Sequence, residues 1–292
     1  MVQLGSIEAG GTKFVCAVGD SDLNIIEEIV IPTTTPDETL AQVTSFFKQY
    51  PDVKALSVAS FGPIEINTTH PKYGYITSTP KLKWQHTDLL GRLKADMDIP
   101  MYFTTDVNGS AYGEYQHELS QGRQINSLVY YTIGTGVGGG AVVNGHILGG
   151  AGHPEMGHVH VKRHPKDTDF KGICPYHNDC LEGLVSGPTF EARLNQSGKD
   201  VPISHLVWDI LAYYVAQIVM QQTLILRPNA IVFGGGVVSE AFLEKVRSQF
   251  KDMMQDYLQV EDLKRYIKMP AYQDNKSATY GNFALAAALL KS

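Results

Sequence analysis

Soft metal donors crowd one stretch of the chain: His158, then sixteen residues on the run Cys174-Pro175-Tyr176-His177-Asn178-Asp179-Cys180. Thiolate and imidazole are the ligands that tetrahedral zinc prefers, and His158, Cys174, His177 and Cys180 together supply four of them. With no position left open, such a site is structural rather than catalytic. The plainer reading, two buried thiols with surface histidines nearby, explains the spacing less well. His153, His160 and His164 lie close in sequence, so His158 is the ligand whose place is contested. The stretch 153–182 has little apolar material of its own, and an ion would order it.

Acids stand around this loop and elsewhere. Phosphoryl transfer to a hydroxyl needs a base on that hydroxyl and electrostatic cover for the phosphate. Asp106 suits the base, since it ends a short apolar strand where a side chain can point into a cleft. Alone, it reads more simply as a turn or cap aspartate. Glu155, His158 and Glu182 flank the metal loop and suit the several hydroxyls of a polyol. Glu8 can reach magnesium through water or be only a strand-end charge.

Glycine turns provide a third kind of chemistry, because glycine lets backbone N–H groups come close to an anion. Gly10, Gly11, Thr12 and Lys13 form a turn that can cradle terminal phosphates. Gly134, Thr135 and Gly136 can grip the same phosphates from another side. Gly234, Gly235 and Gly236, between an apolar strand and a helix, can pass near an adenosine. None matches the P-loop spacing or a dinucleotide fingerprint. Any one alone can be a tight hairpin; three together, each after an apolar strand, point to a bound nucleotide.

The elements that must carry these groups follow from periodicity. Leu4–Ile7, Phe14–Val18 and Ile25–Ile31 read as strands. Thr35-Pro36-Asp37-Glu38 opens a helix with a capping box and a proline at its first position. Ala55–Ser60 and Met101–Thr104 are short strands, with a long loop from Phe61 to Trp84. Leu128–Ile133 is a strand followed by the glycine run Gly134–Gly140, with further strands Ala141–Val143 and His146–Leu148 about the turn Asn144-Gly145. Ile203–Leu226 reads as a buried helix, with Leu206 on its apolar face, stopped by Pro228. Ala230–Phe233 is a strand, a helix starts at Glu240, and Tyr280–Leu290 is a final apolar helix. Strands, a glycine turn and helices thus occur twice, which implies two related α/β lobes: 1–118, with the C-terminal helix 278–292 packing back on it, and 119–277, with the metal loop 153–182.

The 292 residues are 43% hydrophobic and 18% charged, ample for such a core. A net charge of -6 without basic runs argues against nucleic acid as a partner. No leader-like start and no run of 18 apolar residues is present, so no membrane span is expected. Three cysteines, two of them in the metal run, fit a reducing cytoplasm better than a disulfide framework.

In combination, Glu8–Lys13, Thr105–Gly109, Ile133–Gly140, Glu155-Met156-Gly157-His158, Cys174–Cys180 with Glu182, and Phe233–Gly236 resemble the ROK family of bacterial sugar kinases and repressors, and within it the fructokinases. The resemblance runs nearly end to end. It implies a two-lobed actin-like ATPase fold of ribonuclease-H-like halves with a zinc-bound loop, ATP with Mg2+, Zn2+, and transfer of the γ-phosphate to a hexose. It implies Asp106 as base, Asn108, Glu155, His158 and Glu182 near the sugar, His158, Cys174, His177 and Cys180 on zinc, and a homodimer as the family's habit. Three positions depart from the common pattern: Glu8 for Asp, Thr105 for Asn and His177 for Cys. All three are features of the fructokinase branch and favour fructose over glucose, mannose or an N-acetylated amino sugar. A repressor would need a DNA-binding segment ahead of the first loop, which begins at residue 8. A non-catalytic sugar- or zinc-binding module would not need Asp106 and three intact glycine turns.

Overall fold

Alternating apolar residues at the start of the chain fold as a meander of β1 (Gln3–Ala9), β2 (Lys13–Gly19) and β3 (Ile25–Pro32). The computed structural model describes residues 2–274 and 276–291. Ala9 faces Phe14 across β1 and β2, which confines the turn to residues 10–12. Helix α1 (Pro36–Phe47) is capped by Thr35, whose Oγ1 accepts the Glu38 N–H at 3.3 Å, with Pro36 at its first position. It leads to β4 (Val53–Ser60), parallel to β1. The expected loop from Phe61 to Trp84 contains β5 (Tyr75–Ile76), paired with β6 (Thr87–Asp88), and a short turn of 3-10 helix at Leu82–Trp84. Helix α2 (Leu89–Asp96) follows, then β7 (Met101–Thr105), parallel to β4, and α3 (Asp106–Ser120). Helices α2 and α3 escaped sequence reasoning. In α3, Gly109 and Gly113 interrupt the apolar pattern that would signal a helix.

The second half begins with β8 (Ser127–Ile133), β9 (Val137–Val143) and β10 (His146–Ile147). Here the glycine run differs from expectation. Only residues 134–136 turn; Val137–Gly140 continue as strand, with Gly139 opposite Tyr131 and Gly140 opposite Tyr130. A Cβ on Gly139 would stand 2.8 Å from Met156 Cβ and 2.9 Å from Tyr131 Cε1, so glycine is there for close packing rather than for a turn. Then come α4 (Leu181–Val185), α5 (Pro188–Leu194), α6 (Leu206–Ile225), β11 (Ala230–Gly234), α7 (Glu240–Met254), α8 (Leu263–Tyr266), β12 (Ile267–Lys268) and α9 (Ser277–Leu289). Helix α6 is apolar on nearly all sides and is accordingly buried along most of its length. It starts three residues later than expected, and Leu206, assigned to the apolar face, is 43% exposed. No described helix is long and apolar enough to cross a membrane.

The chain divides into two units: Met1–Arg123 with Ile147–His153 and Tyr272–Ser292, and Gln124–His146 with Pro154–Ala271. Each is built on a five-stranded sheet, β3-β2-β1-β4-β7 in the first and β10-β9-β8-β11-β12 in the second. Numbered within its own sheet, each has the order 3-2-1-4-5. The three parallel strands of each sheet end on one side, so whatever follows them gathers at that carboxyl edge. Residues 10–13 and Asp106 follow β1 and β7; residues 134–136 and 235–236 follow β8 and β11.

Helix α9 closes the first unit. Buried Asn282 donates from Nδ2 to Ser6 Oγ and to Ile7 O, both at 3.1 Å, and its Oδ1 accepts from Ser57 Oγ at 2.9 Å. Its backbone touches α3: a Cβ on Gly281 would lie 1.9 Å from Gly109 O, and one on Gly113 2.0 Å from Ser277 O.

Candidate active site and metal centre

In the first unit the 10–13 turn engages three of its carbonyls. Gly10 O accepts from Thr33 Oγ1 at 2.7 Å, Thr12 O from Thr33 N–H at 3.0 Å, and Lys13 O from Gly10 N–H at 3.0 Å. The Gly10, Thr12 and Lys13 carbonyls are thereby engaged, while the Gly11 and Thr12 N–H groups have no partner among the described residues. Such a concavity of amides suits an anion. Beside it stand two acids. Glu8 is pushed up to about 7, chiefly by burial and next by the charge of Asp106, against the opposing pull of Lys13. Asp106 opens α3 directly after β7, and its Oδ1 accepts the Val107 N–H at 2.8 Å. Thr105 caps the same helix, its Oγ1 accepting the Asn108 N–H at 3.2 Å. Asn108 has no exposed surface; its Nδ2 donates to Thr104 Oγ1 at 3.1 Å, and its Oδ1 has no partner.

In the second unit two glycine turns meet. A Cβ on Gly134 would come 3.9 Å from Gly236 N. Gly134 N–H is closed onto Gly136 O at 2.9 Å, leaving the Thr135 and Gly136 N–H groups without described partners. Gly235 has a φ of +94°, which a side chain rarely tolerates, and Gly234 is the last residue of β11. Beside them opens a pocket of about 670 Å³, lined by Gly134, Gly236, Phe190, Val201 and Trp208 among others. The Phe190 and Trp208 rings pack 4.7 Å apart, and Trp208 Nε1 is held by Val201 O at 3.1 Å. That size and apolar lining suit a heterocycle beside an amide-rich anion cradle. Phe190, Val201 and Trp208 went unnoticed in the sequence, being far apart and without a fixed spacing.

The four soft donors converge. Cys174 Sγ is 3.7 Å from His158 Nδ1 and 3.8 Å from His177 Nδ1, and Cys180 Sγ is 3.5 Å from His158 Nδ1. All four ligand atoms lie within 4.8 Å of one another. Bonds of about 2.3 Å to sulfur and about 2.0 Å to nitrogen, at the tetrahedral angle, put S and N about 3.5 Å apart. The donor set therefore fits a tetrahedral ion. The rival histidines are occupied elsewhere: His153 Nε2 accepts the Ile64 N–H at 3.2 Å in the first unit, and His164 Nδ1 accepts the Lys166 N–H at 3.1 Å. The ring of His160 stands 6.4 Å from that of His177, outside the cluster.

Glu155 is exposed and precedes the turn Met156–His158, its carbonyl accepting the His158 N–H at 3.1 Å. Glu182 lies in the first turn of α4, and its Oε2 accepts the Val137 N–H at 3.0 Å. Glu155, His158, Glu182, Cys174 and Cys180 thus share the second unit with the 134–136 turn, while Asp106, Asn108, Glu8 and the 10–13 turn share the first.

Comparison with known proteins extends this picture. The model of the ROK family matches residues 4–288. The chain is 51% identical over 286 residues to a fructokinase of Streptococcus mutans, covering 97% of this chain and 96% of that one. It is 48% identical over 290 residues to a fructokinase of Lactococcus lactis subsp. cremoris, covering 99% and 98%. Among solved structures, a ROK hexokinase from Thermus thermophilus shares the fold, with a TM-score of 0.77 at 21% identity and 99% of each chain covered.

Proposed function

We infer, because this chain belongs to the ROK family, that it is an ATP-dependent sugar kinase converting D-fructose to fructose 6-phosphate. The observation that carries the choice of sugar is the full-length likeness to fructokinases, at 51% and 48% identity. The amide-lined turns and the apolar pocket beside one of them supply what a nucleoside triphosphate needs.

In this reading Asp106 takes the proton of the sugar hydroxyl. The freed oxygen attacks the γ-phosphorus, the bond to the β-phosphate oxygen breaks, and ADP leaves. Glu155 and Glu182 accept hydrogen bonds from the sugar, and His158, whose Nδ1 faces the two sulfurs, donates one from Nε2–H. Asn108, two residues beyond Asp106 and with a buried Oδ1 that has no partner, is assigned to sugar binding with them. The Gly10–Lys13, Gly134–Gly136 and Gly234–Gly236 turns bind ATP, whose Mg2+ Glu8 reaches through water. The metal held by His158, Cys174, His177 and Cys180 is Zn2+, and its part is to order the loop that carries His158 and Glu182. A cytoplasmic setting follows from the use of ATP and from reduced cysteine ligands.

The test is ADP release from ATP and magnesium with fructose, mannose, glucose and N-acetylglucosamine. Turnover confined to or strongest with fructose supports the assignment. Preference for another sugar discards fructose and keeps the mechanism. Turnover with none of them removes the kinase reading.

A further inference from the structure

We propose that Lys81 is a phosphate-binding residue, its ammonium meeting the γ-phosphate of ATP over the Gly10–Lys13 turn. This rests on the kinase reading above. No spacing in the sequence links the two, since Lys81 lies about seventy residues away within Pro80-Lys81-Leu82.

The first observation is contact. The Lys81 stem lies across Gly11: a Cβ there would stand 3.1 Å from Lys81 Cε and 3.9 Å from Cγ. With bonds of about 1.5 Å, the ammonium is within about 6 Å of the Gly11 Cα. Its backbone is anchored, because Lys81 N–H donates to Thr79 Oγ1 at 3.3 Å and Lys81 O accepts the Trp84 N–H at 2.7 Å. Trp84 is buried and tied through Nε1 to Thr34 O at 3.1 Å. The segment is therefore fixed, and only the stem can move.

The second observation is charge. Two acids, Glu8 and Asp106, lie close together beside the turn, and their negative charge opposes an approaching triphosphate. Of the nearby cations, Lys13 acts on Glu8 and is partly spent there. Lys81 makes no ion pair with any described residue. The unpartnered Gly11 and Thr12 N–H groups are on the same turn. A free cation and free amides on one turn, next to the proposed base, form an anion site. The phosphate nearest Asp106 is the one being transferred, which assigns Lys81 to the γ-phosphate.

The experiment compares the wild type with Lys81→Met and Lys81→Arg in two measurements: steady-state kinetics with fructose, and calorimetric binding of magnesium-ADP and of a non-hydrolysable magnesium-ATP analogue. Lys81→Met is expected to lower kcat about 10²-fold and to weaken the ATP analogue about tenfold, with ADP binding unchanged. Lys81→Arg is expected to recover most of both. The proposal is overturned if Lys81→Met keeps kcat and KM within about twofold, or if it weakens ADP and the ATP analogue equally. A wild type that binds neither nucleotide overturns the kinase reading itself. A wild type that turns over while Lys81→Met is unaffected overturns Lys81 alone.

Discussion

The carboxylate of Glu182 accepts the backbone N–H of Val137 at 3.0 Å, so a residue two positions beyond Cys180 holds the end of the Gly134–Gly136 turn. Gly136 leaves room for this: a Cβ there would lie 2.6 Å from the same oxygen. From the other side, Gly157 in the His158 turn packs on the Val137 carbonyl, which a Cβ would approach to 1.8 Å. Both flanks of the metal loop thus bear on Val137. Glu182→Ala is expected to raise the KM for ATP about tenfold, the worth of a hydrogen bond to a charged acceptor. Glu182→Gln keeps a carbonyl acceptor and is expected to lose less. An ATP KM that does not move in Glu182→Ala means that the bond has no bearing on the nucleotide.

Loss of one metal ligand should remove metal and activity together. Cys180→Ser is expected to purify without zinc, to melt at lower temperature and to turn over no sugar. Elemental analysis decides, because full zinc occupancy in this variant would mean that the ligand set is wrong.

Asp106→Asn keeps the shape of the side chain and removes the proton acceptor. Turnover is expected to fall about 10³-fold, with the ATP dissociation constant unchanged. Substantial turnover in the variant excludes Asp106 as the base.

Glu8 has a pH signature. Its folded-state pKa of about 7 lies above the usual 4.5, so the folded protein binds the proton more tightly than the unfolded chain. The stability this gives is fully present below pH 4.5 and is lost as the pH rises through 7. Glu8→Gln is always neutral and escapes that loss. Without added magnesium it is expected to match the wild type at pH 4.5 and to exceed it by about 3 kcal/mol at pH 8. Urea unfolding at the two pH values measures this; equal stability at pH 8 rules it out.

Where α3 and α9 touch, Gly281 has no room for a methyl group, its Cβ falling 1.9 Å from Gly109 O. Gly281→Ala is expected to destabilise by about 2–3 kcal/mol, read from urea unfolding. A change below about 0.5 kcal/mol would show that the helices separate easily.

Features written in consecutive residues could be read without a structure. The Cys174–Cys180 run names its metal chemistry because ligand type and spacing are local. The strands around Gly10 and Gly134 follow from period-two alternation, and the start of α1 follows from Thr35 and Pro36. The ordered motifs carried the family, and with it the fold. Other features depend on what arrives from far along the chain. His158 stands among rival histidines in sequence, and only folding brings its Nδ1 to both sulfurs while His153 and His164 take backbone partners. Asn108 is a site residue by resemblance, and only the packing shows its buried Oδ1 without a partner. Gly138–Gly140 read as a loop until Tyr131 and Met156 are seen to fill the space above Gly139. Phe190 with Trp208, and Lys81 over Gly11, are contacts between residues that share no pattern. Spacing along the chain encodes turns, alternation and ligand runs; which distant side chains meet is settled by how the sheets and helices pack, and that appears only in the tertiary structure.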